Sequence, residues 1–331
     1  MQAVSVLRVI GLLGSLSMLG CLGDAPRDNP LDPKSDKFQN TGRLAGSTLS
    51  IFAPFRPIAD VELRLEPGPF LTRSRSDGSF EFSPIPAGVY TLTAYKAGYA
   101  MAPDTVEVTL GRTTTLQLHL NGLPVVERFS VTSCRLRRWF PQTDLLLLEL
   151  STQLDDPDGR NDVQLVEVLI PDLGFVDTLH TTQTVGVFEK RIPERRLPGR
   201  SLEGMLGHQV FLRVTDSVGG VTLSAPSFLA RVMNDVPATI SPAPSEVLSE
   251  PTPTFSWTSL SLPFDFTYRV EVVRVDEGIN TLVWSQTGIA RSLTSVAIDA
   301  PLPSGRYFWT IAAVDEFGNC SRSKEASFTI L

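Results

Sequence analysis

Short runs of alternating apolar and polar residues recur every 8–15 residues from Thr41 to the end of this chain, with turn residues between them. A side-chain period of two sets one face of a strand against a core and the other against water, so such a chain folds as packed sheets. The sets Val61/Leu63/Leu65, Phe80/Phe82, Tyr90/Leu92/Ala94, Val106/Val108/Leu110 and Leu116/Leu118/Leu120 place apolar residues on one side and Thr, Glu, Arg or Gln on the other. Ser76-Asp77-Gly78-Ser79 reads as a tight turn in which Gly78 supplies positive φ, and Pro84–Tyr90 as a second turn. Beyond residue 20 no convincing amphipathic helix occurs, and 25 Pro and 24 Gly punctuate the runs. That is the pattern of β-sandwiches, and 331 residues are enough for two or three of them.

The N-terminus is different in kind. Arg8 is the one charge in residues 1–20, and the apolar stretch Val9–Gly20 is long enough for a secretory signal and short of the roughly 20 residues of a membrane span. The run Leu16-Ser17-Met18-Leu19-Gly20-Cys21 resembles the lipobox of bacterial lipoproteins, with Met18 where that family usually has Leu. The resemblance implies cleavage before Cys21, lipidation of its thiol, acylation of the new amine, and a membrane as partner through that lipid. The alternative is an ordinary signal peptide with an incidental cysteine. Residues 21–41 carry three prolines, alternating charge and few apolar groups, and read as a disordered tether with an rms span of about 25 Å. Asn29-Pro30-Leu31-Asp32-Pro33 looks like the spacer of surface lipoproteins. Leu22 is not the Asp that resembles an inner-membrane retention signal, so the outer membrane is the expected location.

The expected fold class is all-β, a tandem array of three β-sandwich modules behind a cleaved signal peptide. In residues 42–122, Gly42-Arg43-Leu44-Ala45-Gly46, Pro57–Val61, Ser76–Phe80, Ile85–Tyr90 and Ala97-Gly98-Tyr99 resemble the carboxypeptidase regulatory-like domain in order and spacing. The resemblance implies a seven-stranded, transthyretin-like sandwich without peptidase activity. The His-x-x-Glu zinc motif of that family's catalytic domain does not occur after His119, His180 or His208. Residues 123–235 carry strand runs at Leu145–Leu150, Val163–Ile170, Val185–Ile192 and Val210–Val214; within them Val214-Thr215-Asp216-Ser217-Val218-Gly219-Gly220 resembles the F–G hairpin of bacterial immunoglobulin-like modules, and Asp155-Asp156-Pro157-Asp158-Gly159 a turn that such modules use. Residues 236–331 resemble fibronectin type III through Trp257, a tyrosine corner at Tyr307 and the strand end Asp315-Glu316-Phe317-Gly318-Asn319.

Asp155, Asp156, Asp158 and Asp162 fall within eight residues. Hard carboxylate oxygens at this density could bind Ca²⁺ at a module junction, although Leu165 stands where an EF-hand has its twelfth-position Glu; the default reading is a solvated turn capped by Gly159. Lys190, Arg191, Arg195, Arg196 and Arg200 form a basic stretch, echoed by Arg135, Arg137 and Arg138 beside Trp139-Phe140. An anion site for acidic polysaccharide or lipid headgroups is the sharper reading; a solvated hairpin neutralised by Glu189, Glu194 and Glu203 is the default. Cys134 and Cys320 read as two free thiols, one in a strand and one in an exposed turn, with a disulfide between modules two and three as the alternative. Phe52, Phe55, Tyr99, Trp139 and Phe140 could stack on sugar, but packing is the ordinary role of each.

The formal charge is −7, and −8 once residues 1–20 with Arg8 are removed, which argues against nucleic acid as a partner. No enzyme motif or cofactor is expected, Ca²⁺ excepted. The expected function is a non-catalytic, membrane-anchored surface or periplasm-facing lipoprotein that binds, adheres or spaces, with a protein or polysaccharide partner. One alternative is a carbohydrate-binding accessory lipoprotein of a nutrient-uptake system, favoured by aligned exposed aromatics. Another is a non-catalytic subunit of a cell-envelope enzyme or secretion assembly, favoured by a flat, unpaired apolar sheet edge. Short Pro-containing joints at 121–124 and 234–237 predict end-to-end stacking into a rod of about 100 Å or more.

Overall fold

The computed structural model describes residues 28–331 apart from Leu31, Asp36 and Gln39. The predicted signal peptide (1–20) and Cys21 lie outside the described residues. The described part of the tether is a run of turns: the amides of Asp32, Ser35 and Phe38 donate to the carbonyls of Asn29, Asp32 and Ser35. The rest is nearly all β, and the helical segments among the described residues are three-residue turns.

Module one holds strands β1 Thr41–Ser50, β2 Glu62–Glu66, β3 Phe70–Arg73, β4 Ser79–Pro86, β5 Gly88–Tyr95, β6 Tyr99–Ala100, β7 Asp104–Val108 and β8 Thr113–Gly122. They form two four-stranded sheets, β4-β1-β8-β6 and β3-β2-β5-β7. The period-two residues Leu63, Leu65, Phe80, Phe82, Leu118 and Leu120 are buried between them, as the alternation requires. Gly46 sits where β1 passes between β4 and β8; a Cβ there would lie 2.3 Å from the Leu116 carbonyl oxygen, so no larger residue fits. Gly78 adopts φ 76°, the left-handed turn its position demanded.

Module two holds β9 Val125–Leu136, β10 Leu145–Asp155, β11 Val163–Ile170, β12 Phe175–Thr178, β13 His180–Thr181, β14 Val187–Pro193, β15 Phe211–Asp216 and β16 Val221–Leu223. One sheet runs β13-β14-β10-β9, the other β12-β11-β15-β16. The core is aliphatic, built from residues such as Leu148, Leu150, Val166, Val168, Leu212 and Val214.

Module three holds β17 Thr239–Ser241, β18 Glu246–Leu248, β19 Thr254–Trp257, β20 Phe266–Asp276, β21 Ile279–Ala290, β22 Ser295–Ala297, β23 Gly305–Asp315, β24 Cys320–Arg322 and β25 Ala326–Ile330. A three-stranded sheet, β17-β19-β22, packs on the sheet that contains β23, β20 and β21. Its core is aromatic. Phe255 lies 5.1 Å from Trp309, Trp257 lies 5.3 Å from Tyr268, and Tyr307 stacks on Phe328 at 5.4 Å between ring centres. Burial of a side chain such as Phe255 contributes about 1.5–3 kcal/mol. The Tyr307 hydroxyl donates to the Pro303 carbonyl at 2.6 Å, which closes the corner read from the sequence.

Modules two and three share one sheet. β24 pairs in parallel with the end of β9, in the register Cys320–Cys134, Ser321–Arg135 and Arg322–Leu136. Cys134 and Cys320 are joined by a disulfide. The expectation of two free thiols is therefore corrected: Cys320 is a buried residue of β24, not part of an exposed turn. β9 is the edge of its sheet, and β24 takes up only its last three residues, Cys134–Leu136. Ala312 of β23 lies opposite Arg322, and β23 extends from there to Gly305, past the end of β9, so modules two and three overlap only at their ends.

Candidate functional site

Two loops of module two meet the end of module one. The first connects β10 to β11 and contains Asp155–Asp162. Asp156 shapes it: its Oδ1 accepts from the Asp158 amide at 2.8 Å, and its carbonyl accepts from the Gly159 amide at 2.9 Å. Gly159 then turns through φ 123°, which only glycine adopts without strain. The second loop follows β15. Asp216 caps it with Oδ1, accepting from the amides of Val218 at 2.9 Å and Gly220 at 2.7 Å. Ser217 ties the loops together, donating its amide to the Asp162 carbonyl at 2.8 Å and its hydroxyl to Asp162 Oδ1.

Module one enters through Asn121 and Gly122 at the end of β8. The Asn121 Nδ2 donates to Asp216 Oδ2 at 2.6 Å, and the Gly122 amide donates to Asp158 Oδ2 at 2.5 Å. Beside them, the Leu123 amide donates to the Gly98 carbonyl at 2.8 Å. A cleft of about 230 Å³ opens alongside, lined from module one by Phe52, Pro54 and Arg56 and from module two by Asp156, Asp158 and Arg160.

Carboxylate oxygens of Asp156, Asp158 and Asp162 lie within 4.8 Å of one another. Asp156 is 4% exposed, Asp162 8% and Asp216 0%. None of these four carboxylates has an ion-pair partner among the described residues; the nearby Arg160 is taken by Asp155 at 3.0 Å on the surface. Asp156 Oδ2, Asp162 Oδ2 and Asn121 Oδ1 are buried without a hydrogen-bond partner. Electrostatics register the concentration of charge. Burial first, then repulsion from Asp162, Asp158 and Asp216, pushes the Asp156 carboxyl up to about 6. Burial and the same neighbours raise Asp158, and burial together with Asp158 and Asp156 raises the Tyr99 hydroxyl.

Of the acidic residues singled out from the sequence, Asp156, Asp158 and Asp162 converge and Asp155 does not. Asp216 and Asn121 were missed. Asp216 precedes Gly219-Gly220, a turn signal, but nothing local says that this turn faces Asp156.

The basic stretch converges in part: Lys190, Arg191 and Arg196 line one open depression with His180 and Glu189, each cation already paired with a carboxylate. Lys190 pairs with Asp177 at 3.2 Å and Arg196 with the same carboxylate at 3.4 Å, while Arg191 pairs with Glu149 at 3.0 Å. Arg195 and Arg200 are exposed on separate short turns beyond β14. Arg135 pairs with Asp144 at 3.1 Å, and Arg138 donates to the Thr143 carbonyl at 2.9 Å. The three histidines occupy three surfaces: His119 against Phe55, His180 beside Lys190, and His208 beside Asp172. The aromatics are equally scattered. Phe52 lines the cleft, Phe55 packs against His119, Tyr99 abuts the acidic loops, and Trp139 donates to the Glu325 carbonyl at 2.7 Å across the seam of modules two and three.

The family described as polysaccharide lyase family 4, domain II, matches residues 67–116, a segment of module one. No curated protein matches the sequence. Among solved structures, the chain is similar to the Bacillus anthracis TIE protein, with 12% identity, a TM-score of 0.27, and coverage of 88% of this chain and 49% of that one. It thus spans about half that protein's length. It is also similar to the FN1–FN3 domains of chicken CNTN1, with 14% identity, a TM-score of 0.29, and coverage of 83% and 92%. A DUF3823 family protein from Bacteroides ovatus has 14% identity and a TM-score of 0.25, over 57% of this chain and 98% of that one.

Proposed function

We propose that the mature chain is held to the bacterial cell envelope, at the outer membrane, by lipid on Cys21, and that it works without catalysis as a binding and spacing array. The observation that carries this reading is the lock between modules two and three. A disulfide, a shared sheet and a buried polar network make one rigid head out of two sandwiches, behind a module that leads to the tether. The disulfide also supports export, because such bonds persist in oxidising compartments. Fractionation tests the anchor. Wild type is expected in the outer-membrane fraction at mature size, and Cys21→Ser is expected to be soluble or unprocessed. A mature-sized, membrane-bound Cys21→Ser protein would overturn the reading.

A protein partner, as for a non-catalytic subunit of an envelope assembly, has one observation in its favour. β21 pairs with β20 on one side only and is the outer strand of the long sheet. Its 12 residues include no charge and no proline, and Ile279, Leu282 and Val283 are exposed. Such an edge can accept an added strand. Pull-down from membranes with the lipidated protein, compared with Leu282→Lys, checks it: the captured partner should be lost with the edge variant.

A further inference from the structure

We infer that the joint between modules one and two is a calcium site, with Asp156, Asp158 and Asp162 as carboxylate ligands. This goes beyond the anchoring reading and does not depend on it. Three carboxylates crowded into a mostly buried volume without a cation repel one another and cost desolvation energy. A fold retains such a group where something positive completes it. The oxygens of Asp156, Asp158 and Asp162 span at most 4.8 Å. Ca²⁺ takes oxygen ligands at about 2.3–2.6 Å, so two ligands on opposite sides of one ion are about 4.8 Å apart. The dimensions therefore suit a single ion.

The independent sign is the set of unused lone pairs. Asp156 Oδ2 and Asp162 Oδ2 belong to side chains more than nine-tenths buried, and neither accepts a hydrogen bond. Their other oxygens are already occupied, Asp156 Oδ1 by the Asp158 amide and Asp162 Oδ1 by Ser217. What remains unpaired is what a hard cation uses. Module one supplies a further oxygen of the right kind in Asn121 Oδ1, also buried and unpartnered, on a side chain fixed to Asp216. Asp216 spends both oxygens on hydrogen bonds, so it holds Asn121 and adds negative potential. Water would fill the remaining positions, entering from the adjoining cleft. An ion here would neutralise the loops that grip Asn121 and Gly122, and so fix the angle between the modules.

The test is calorimetric titration of the mature chain with CaCl₂ at neutral pH after chelator treatment, together with thermal melting in EDTA and in 10 mM CaCl₂. One ion per chain is expected, with a dissociation constant of about 10⁻⁴–10⁻³ M, the range of extracellular modules. Melting should rise by about 3–5 °C in calcium. Asp156→Asn and Asp162→Asn should each lose the binding and the shift. Asp155→Asn should keep both, since Asp155 is paired with Arg160 outside the cluster. Asp156→Asn removes one of the repelling charges, so its melting point in EDTA should equal or exceed that of wild type, which separates lost ligation from lost folding. Absence of binding at 10 mM, retention of binding in both Asn variants, or equal loss in Asp155→Asn would overturn the site. Tighter binding of Mg²⁺ than of Ca²⁺ would overturn the choice of ion.

Discussion

Ser133 and Asn319, 186 residues apart, are hydrogen-bonded across the seam of two modules: the Ser133 amide donates to Asn319 Oδ1 at 2.9 Å. Asn319 is fully buried. Its amide nitrogens complete a network, Nδ2 donating to Asp315 Oδ2 at 3.0 Å and the backbone N–H to Asp315 Oδ1 at 2.8 Å. Arg231 donates to Asp315 at 2.8 Å and lies 3.7 Å above the Phe264 ring, while its carbonyl accepts from the Ser133 hydroxyl at 2.7 Å. Buried polar groups satisfied in this way specify one docking geometry.

Asn319→Ala should be strongly destabilising. It leaves the buried Ser133 amide without an acceptor, at a cost of about 1–3 kcal/mol, and takes one of two donors from Asp315 Oδ2, which keeps Arg231. Denaturant unfolding of the mature chain reads the loss, and a change below about 0.5 kcal/mol would show that the seam does not form in solution.

The disulfide closes a loop across a sequence separation of 186, for which the chain-entropy account gives about 5 kcal/mol of stabilisation. In residues 22–331, thiol titration under denaturing conditions should find no free thiol before reduction and two after it. Cys134→Ala with Cys320→Ala should lower the unfolding midpoint by an amount consistent with a few kcal/mol.

Tyr307→Phe keeps the stacking on Phe328 and removes only the hydrogen bond to the Pro303 carbonyl. A loss of about 1–2 kcal/mol is expected, because the carbonyl is left without its donor. Equal stability of the variant would mean that the corner contributes only its ring.

Shape tests the overlap. With modules two and three sharing only the last residues of β9, residues 41–331 should be elongated, with a maximum dimension of about 100 Å. Small-angle scattering that returns about 50–60 Å, near a compact sphere of this length, would mean that the modules fold back on one another.

The strands were legible in the chain because burial on one face leaves a period of two, and β11, Val163–Ile170, matches its predicted bounds. Trp257 and Tyr307 were legible because a large aromatic in an alternating run has few places to go but the core. The site was legible only in its local half. Asp156, Asp158 and Asp162 share one loop, whereas Asn121 and Asp216 arrive from β8 and from the turn after β15, and no periodicity encodes that meeting. The seam was not legible for a related reason. Parallel pairing of β9 with β24 depends on two edge strands from different modules, and an edge strand looks like any other in sequence.

β9 touches both of the chain's special joints: Val125 stands opposite Asp155 at its start, and Cys134 meets Cys320 near its end. A pull applied between the N-terminus and the last strand would travel through module one, along β9, and across the sulfur bridge to β24. The 186-residue separation between those cysteines then drops out of the covalent path. Module two would carry no tension along its own backbone beyond β9, so its sheets need not be mechanically strong. Whatever module one yields under load, the residues between the two cysteines would add nothing to the extended length.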